Sequence, residues 1–174
     1  NSTGAAVQIT NATTVNLNNM MITGTNVGFN GVTVTHSNTV ASTVNITNTS
    51  ITGGLEGVDY NRTASGTSRL TLTGNTINTT AGDAVNMNIG GSGTANVVVT
   101  NNLQIDGGDD QALSVAVTGG AAKNVLMLVD SNTMSNNSLA STAQIDMNGG
   151  GTLNATVTNN TFSNGNAGAA RAYS

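Results

Sequence analysis

The residues that decide the fold are Leu70-Thr71-Leu72-Thr73-Gly74-Asn75-Thr76-Ile77-Asn78. Apolar and polar residues alternate in the first four positions, a polar turn follows, and an apolar residue comes next. Alternation with a period of two predicts a β-strand that buries one face. Asn in the turn tolerates a left-handed backbone and can hydrogen-bond to neighbouring backbone groups. The segment therefore predicts a strand, a tight polar corner and a short second strand.

The same pattern occurs six times along the chain. Its apolar anchors are roughly 26 to 30 residues apart, a spacing typical of solenoids; they are Leu17, Ile46, Leu72, Val99, Val129 and Val157. Between them lies another class of alternating segments, and three of these run into glycine turns; this class comprises 57–60, 84–89, 113–117 and 143–147. Each period thus contains two clear strands and a short third one. We predict an all-β, right-handed parallel β-helix of about six coils, a single domain over 1–174.

Stacked coils place equivalent residues about 4.8 Å apart, so like side chains form ladders. We expect an asparagine ladder at the turn, formed by Asn75, Asn102, Asn132 and Asn160. Inward positions are expected at Val44, Ile46, Leu72, Val85, Met87, Val115, Val129 and Val157, with Met134 and Met147 as core filler. Segments 4–9 and 168–174 resemble the second strand class and show no cap. These ends predict either a fragment of a longer solenoid or end-to-end stacking into a filament.

Two segments, 70–78 and 154–164, resemble the parallel β-helix repeat of pectate-lyase-like folds. The Asn, Thr, Gly and Ser texture is similar to passenger regions of bacterial autotransporters and other surface adhesins. The resemblance covers nearly the whole chain. It implies an extracellular structural or adhesive scaffold at the cell surface. It names no activity, because the same coil carries lyases, hydrolases and inert stalks.

The composition narrows the classes of function. Only 7% of residues are charged and 2% aromatic, yet 37% are hydrophobic and the net charge is −4, so the chain does not have the signature of a disordered protein. A pI near 4.4 with four Lys and Arg residues argues against nucleic acid as a partner. No apolar run reaches membrane-spanning length. The expected partners are other copies of the chain, flanking coils, and host or surface glycans.

The segment Asp106-Gly107-Gly108-Asp109-Asp110 is the strongest candidate site. It resembles the paired aspartates of polygalacturonases, which are also β-helices, and paired carboxylates are the catalytic groups of glycosidases. That family also has Gly-His-Gly and Arg-x-Lys segments. Here His36 lies in Thr-His-Ser and Lys123 in Ala-Lys-Asn, so we predict no catalytic residues. A polysaccharide-binding or polysaccharide-active β-helix remains the alternative.

Calcium is the one cofactor that the acidic segment suggests. Hard cations bind several oxygen ligands, and Asp106, Asp109 and Asp110 could supply them. Glu56 and Asp83 precede the same strand class on earlier coils. Stacked carboxylates repel one another unless they are solvated, protonated or bridged by a cation. The simplest interpretation remains a solvated turn, with a calcium site as the hypothesis.

Two other features suggest weaker alternatives. The single histidine, His36, follows the segment 32–34 and is expected to be solvated. An ice-binding solenoid would need a flat array of Thr-x-Thr pairs. The pairs 71/73 and 156/158 qualify, but the equivalent residues Val98/Thr100 and Leu128/Asp130 interrupt the array.

Overall fold

The computed structural model describes residues 4–24, 28–79, 81–119, 122–137 and 140–164. These residues form β-strands and turns only, which confirms the all-β prediction. No helix among them is long and apolar enough to cross a membrane. The strands are β1 (Val7–Thr10), β2 (Thr14–Asn18), β3 (Met21–Thr23), β4 (Val32–His36), β5 (Ser42–Thr47), β6 (Ser50–Gly53), β7 (Val58–Arg62), β8 (Gly66–Thr73), β9 (Thr76–Thr79), β10 (Val85–Ile89), β11 (Gly93–Thr100), β12 (Gln104–Asp106), β13 (Leu113–Gly119), β14 (Lys123–Asp130), β15 (Thr133–Asn136), β16 (Ala143–Gly149), β17 (Thr152–Thr158) and β18 (Thr161–Asn164).

The strands form three parallel sheets, and every third strand belongs to the same sheet. Sheet A is β1-β4-β7-β10-β13-β16, sheet B is β2-β5-β8-β11-β14-β17, and sheet C is β3-β6-β9-β12-β15-β18. One strand from each sheet makes one coil, so the sheets stack into a three-sided β-solenoid. The predicted short strand after the asparagine turn is the sheet C strand, three or four residues long. The repeat assignment is therefore confirmed.

The core consists of apolar residues stacked in register from coil to coil. In sheet B the column runs Leu17, Ile46, Leu72, Val99, Val129 and Val157. In sheet C the inner column begins with Ile22, Ile51, Ile77 and Ile105. Most members of these columns are buried, and full burial of each such side chain contributes about 1.5–3 kcal/mol relative to leaving it exposed.

Two inward predictions fail on the last coil that the structure describes. Val157 is 46% exposed and Met147 is 36% exposed, although the other predicted inward residues are buried. Both lie on strands that end their sheets, β17 and β16. Among the described strands, none pairs beyond them. Inward register alone therefore does not bury these two side chains, whereas Ile9 and Ile22 on the first coil are buried although each has a described coil on one side only.

The predicted asparagine ladder is present, with Asn75, Asn102 and Asn132 buried and Asn160 partly buried. The backbone N–H of each ladder residue donates to the side-chain Oδ1 of the next Asn: Thr49 to Asn75 (2.9 Å), Asn75 to Asn102 (2.9 Å), Asn102 to Asn132 (3.1 Å) and Asn132 to Asn160 (2.9 Å). The amides also bond to each other, with Nδ2 to Oδ1 distances of 3.0, 2.7 and 2.8 Å. A buried polar group costs free energy unless it is hydrogen-bonded. The ladder therefore provides hydrogen-bond partners for the buried backbone and amide groups of the corner.

The left-handed residue of each corner is not the ladder asparagine. It is the residue before the ladder position: Gly74 (φ 70°), Asn101 (φ 54°), Ser131 (φ 57°) and Asn159 (φ 54°) before the asparagines, and Asn48 (φ 49°) before Thr49. The expectation that the ladder asparagines themselves use this conformation was wrong. The left-handed residue makes the sharp bend, and this leaves the next side chain pointing into the corner, where its amide reaches both neighbouring coils.

Candidate functional site

The acidic side chains gather where the chain enters sheet A. Glu56 immediately precedes Gly57 and β7, Asp83 lies at the equivalent place before β10, and Asp110 lies shortly before β13. Asp59 is on the outer face of β7. We call these four residues the acidic corner. Because Val58, Val85 and Leu113 are in register, Glu56 and Asp83 lie on adjacent coils, about 4.8 Å apart along the stack.

Two asparagines hold the Glu56 carboxyl group. Asn86 Nδ2 donates to Oε1 at 2.9 Å, and Asn30 Nδ2 donates to Oε2 at 3.2 Å. Asn30 also lies 3.4 Å from Asp59 Oδ2, so one amide links two carboxyl groups. Burial and the nearby Asp59 nevertheless raise the pKa of Glu56 to about 7, and the two amide hydrogen bonds and Asp83 act less strongly. Glu56 therefore exchanges a proton near neutral pH.

Asp83 is the second perturbed carboxyl group. Burial raises its pKa to about 6, with a further contribution from the charge of Asp110. The backbone N–H of Gln111 donates to Asp83 Oδ1 at 3.0 Å and to Asp110 Oδ1 at 3.0 Å, which opposes the shift at Asp83. Burial also raises the pKa of Asp59. Perturbed carboxyl groups are common at functional sites and also in structural clusters.

The residues predicted as a calcium site are only partly brought together. Asp106 ends β12 in sheet C, where its Oδ1 accepts the Gly108 N–H at 3.0 Å. Asp109 is exposed in the turn, and Asp110 turns toward Asp83. In the described part of the chain, no three or more His, Cys, Asp or Glu side chains are grouped to hold a metal ion. Calcium binding at Asp106, Asp109 and Asp110 stays a prediction.

His36 is buried, not solvated as predicted, with 1% of its surface exposed. It is the third inward residue of β4 after Val32 and Val34, and Arg62 of the next coil pairs with it in register. His36 Nε2 lies 2.7 Å from the carbonyl oxygen of Val40. The prediction failed because it treated the end of the strand as an edge, whereas the following coil covers it.

Two buried cations at the corner between sheets A and B were not predicted. Arg62 has no exposed surface, and its Nη2 donates to the carbonyls of Gly66 (2.8 Å) and Ser92 (2.6 Å). Lys123 is 5% exposed, and its Nζ donates to the carbonyl of Gly119 at 2.9 Å. Both side chains bind corner carbonyls, so their role here is structural. The burial of Arg62 could have been predicted from the sequence, because Arg62 occupies an inward position in the alternation of Val58, Tyr60 and Arg62.

The outer face of sheet B carries small polar residues around an apolar centre. A shallow groove of about 410 Å³ is lined by Arg69, Asn96, Val98, Leu126, Leu128, Asn154 and Thr156, among others. Leu126 and Leu128 are 40% and 38% exposed. The register aligns Thr71 with Val98 and Leu128, which interrupts the Thr-x-Thr array as expected from the sequence.

Two of the aromatic side chains, Tyr60 and Phe162, are turned toward the core. Tyr60 is 2% exposed in the core, and Phe162 packs against the core from the inner face of β18. Tyr173 lies outside the described residues. Sugar stacking on an exposed ring is therefore not available at these two positions.

Comparison of the chain with protein-family models, curated proteins and solved structures gives no match.

Proposed function

We propose that the chain is a structural β-solenoid of a secreted or cell-surface protein, a stiff scaffold that displays its outer faces for adhesion. The observation that carries this proposal is the continuous stack of like residues, with a hydrogen-bonded ladder that runs from Thr49 to Asn160. Each coil contacts its neighbours through backbone bonds and matched side chains. Such a stack can be lengthened coil by coil without a new core.

The outer faces support a binding role and do not favour a catalytic one. Sheet B displays hydroxyl and amide groups, with Arg69 as an exposed cation beside the groove. General acid–base catalysis needs positioned groups with matched pKa values. The acidic corner has perturbed carboxyl groups, but the cations Arg62 and Lys123 are buried against carbonyls. Glycans are the proposed ligands because hydroxyl and amide groups recognise them by hydrogen bonds.

Surface location is tested on intact cells that produce the chain. Antibodies against the purified chain should label these cells, and externally added protease should remove the label. The control is a cytosolic protein, which should stay protected. Labelling that appears only after the cells are lysed would contradict the proposal.

The alternative, a polysaccharide-active β-helix, is tested with the same purified chain. It should bind to surface glycans on an array without releasing new reducing ends from pectin-like polysaccharides. Release of sugar that disappears in Asp109→Ala and Asp110→Ala would favour the alternative over the scaffold.

A further inference from the structure

The ladder changes its bonding at Asn160, the last member. Inside the stack, Asn102 Nδ2 donates once to the preceding coil, at Leu72 O (3.1 Å), and once to the following Asn132 Oδ1 (2.7 Å). Asn160 Nδ2 donates to the preceding coil at Val129 O (2.8 Å), but its second bond goes to Thr158 O of its own coil (2.8 Å). In the interior of the ladder, this second Nδ2 hydrogen bonds to the following coil, whereas at Asn160 it bonds within the same coil.

The backbone around Asn160 has the geometry of an interior step. Asn159 has φ 54°, like Asn101 with φ 54°. By the pattern of the interior coils, a following Asn would accept the Asn160 N–H and donate to the carbonyl of Val157. The Val157 side chain beside this position is 46% exposed. Among the described residues, none continues the ladder past Asn160, so this edge has the shape and bonding groups to receive an amide-bearing coil.

The first coil lacks the matching amide. Asn19 has φ 56°, so the corner is built in the same way, but the residue in the ladder position is Met20. The Met20 N–H lies 3.4 Å from Thr49 Oγ1, as the register requires. A thioether is a weak acceptor and donates nothing. Met20 could therefore satisfy neither the N–H of an Asn160 nor the carbonyl of a Val157.

The apolar core residues would accept the first coil of a second copy, although the ladder position would not. If the first coil of a second copy stacked on the last coil in register, Ile9 would follow Ile145 and Leu17 would follow Val157, each an apolar contact. The unsatisfied ladder groups would then be buried, and burying an unsatisfied donor or acceptor is unfavourable. Natural β proteins use such mismatches to prevent edge-to-edge assembly.

We propose that the edge formed by β17, the Asn160 corner and β18 is a docking surface for a further coil that carries Asn in the ladder position, and that Met20 excludes the first coil of a second copy. The proposal rests on the scaffold function and names the partner of that scaffold. A further coil should therefore bind when the side chain in its ladder position supplies one carbonyl oxygen and one N–H group to the corner.

The decisive variant is Met20→Asn, which gives the first coil the missing amide. Sedimentation equilibrium of the full chain over a wide concentration range should show head-to-tail association at least tenfold tighter for Met20→Asn than for the unchanged chain. Adding Asn160→Ala to Met20→Asn should reduce the gain without abolishing it, because it removes the side-chain Nδ2 donor while the backbone N–H of residue 160 and the carbonyl of Val157 remain. The control is Met21→Asn, because Met21 points outward on β3 and is 84% exposed. Equal association of the unchanged chain and Met20→Asn would overturn the proposal.

If Met20→Asn does not fold, a chain with one additional coil inserted after Asn160 tests the same proposal. Residues 133–160 form one period, so a second copy of this segment inserted after Asn160 adds one coil with Asn in the ladder. The matched control carries Met in that single position of the added coil. The Asn version should melt at the higher temperature, and equal melting temperatures would overturn the proposal. Neither experiment depends on location, so a failure of surface labelling would not affect them.

Discussion

Replacement of Asn102 by alanine should remove a central step of the ladder. Asn102 is 2% exposed, and its Oδ1 accepts Asn75 N–H (2.9 Å) and Asn75 Nδ2 (3.0 Å). Its Nδ2 donates to Leu72 O and Asn132 Oδ1. The variant therefore loses four hydrogen bonds and leaves their partners buried.

The size of the effect follows from this inventory. A typical hydrogen bond contributes about 1 kcal/mol net, and each buried group left unsatisfied costs about 1–3 kcal/mol. Because a water molecule can enter the small space left by the amide and bond to some of these groups, we expect a loss of about 3–5 kcal/mol in the free energy of unfolding. That is a large part of the total of about 5–15 kcal/mol typical of a domain.

The assay is urea unfolding followed by circular dichroism, with Asn96→Ala as the matched control. Asn96 lies on the outer face of the same coil and lines the groove of sheet B. Its replacement should change the free energy of unfolding by less than about 0.5 kcal/mol. A loss below about 1 kcal/mol in Asn102→Ala, or an equal loss in both variants, would refute the role given to the ladder.

Three further experiments test Glu56, the buried Arg62 and the turn that contains Asp109 and Asp110. The pKa of Glu56 is raised from 4.5 to about 7 in the folded chain, so the folded state binds more protons between these values. The contribution of Glu56 to the free energy of unfolding is therefore fully present below pH 4.5 and is lost as the pH rises through 7. Glu56→Gln should make the melting temperature less dependent on pH and should stabilise the chain at pH 8 by about 1 kcal/mol, a figure reduced for solvent screening. Melting curves of the variant that show the same pH dependence as the unchanged chain would contradict this. Arg62→Met should lower the free energy of unfolding by about 2–4 kcal/mol in urea titrations, since three corner carbonyls lose their donor; a smaller loss than in Arg69→Met would speak against the structural role. Asp109→Ala should leave the melting temperature unchanged with or without calcium, because Asp109 is exposed, and Asp110→Ala should change it only slightly, because the lost hydrogen bond from Gln111 N–H is offset by the lost repulsion of Asp83. A calcium-dependent rise in the unchanged chain that both variants lose would establish the cation site.

The alternation and the period were sufficient to predict the strands and their stacking. Leu70–Thr73 and Leu113–Val117 alternate in the sequence and lie in β8 and β13. The ladder was predictable because its asparagines recur at one position of the repeat. Local pattern and global fold agree here, which is typical of natural repeat sequences.

The remaining errors concern what the neighbouring coil supplies. His36 is buried because Arg62 stacks on it, and Val157 is exposed on the last coil that the structure describes. The link between Glu56 and Asp59 depends on the rotamer of Asn30, which no sequence pattern encodes. Arg62 follows the inward alternation of β7, and the corner carbonyls that it binds, which no sequence pattern shows, explain how a cation is buried there.

The central claim is that the coils stack in parallel with one fixed register, and a cysteine pair tests it most directly. The chain has no cysteine, and Thr71 pairs with Val98 on the outer face of sheet B. Paired residues on adjacent strands are about 4.8 Å apart, within the range of about 4.4–6.8 Å between the Cα atoms of a disulfide. Thr71→Cys with Val98→Cys should form an intramolecular disulfide under mild oxidation, seen as faster migration in a non-reducing gel. Thr71→Cys with Val99→Cys should stay reduced because Val99 faces the core, and equal oxidation of both pairs, or none in the first, would contradict the stacked solenoid.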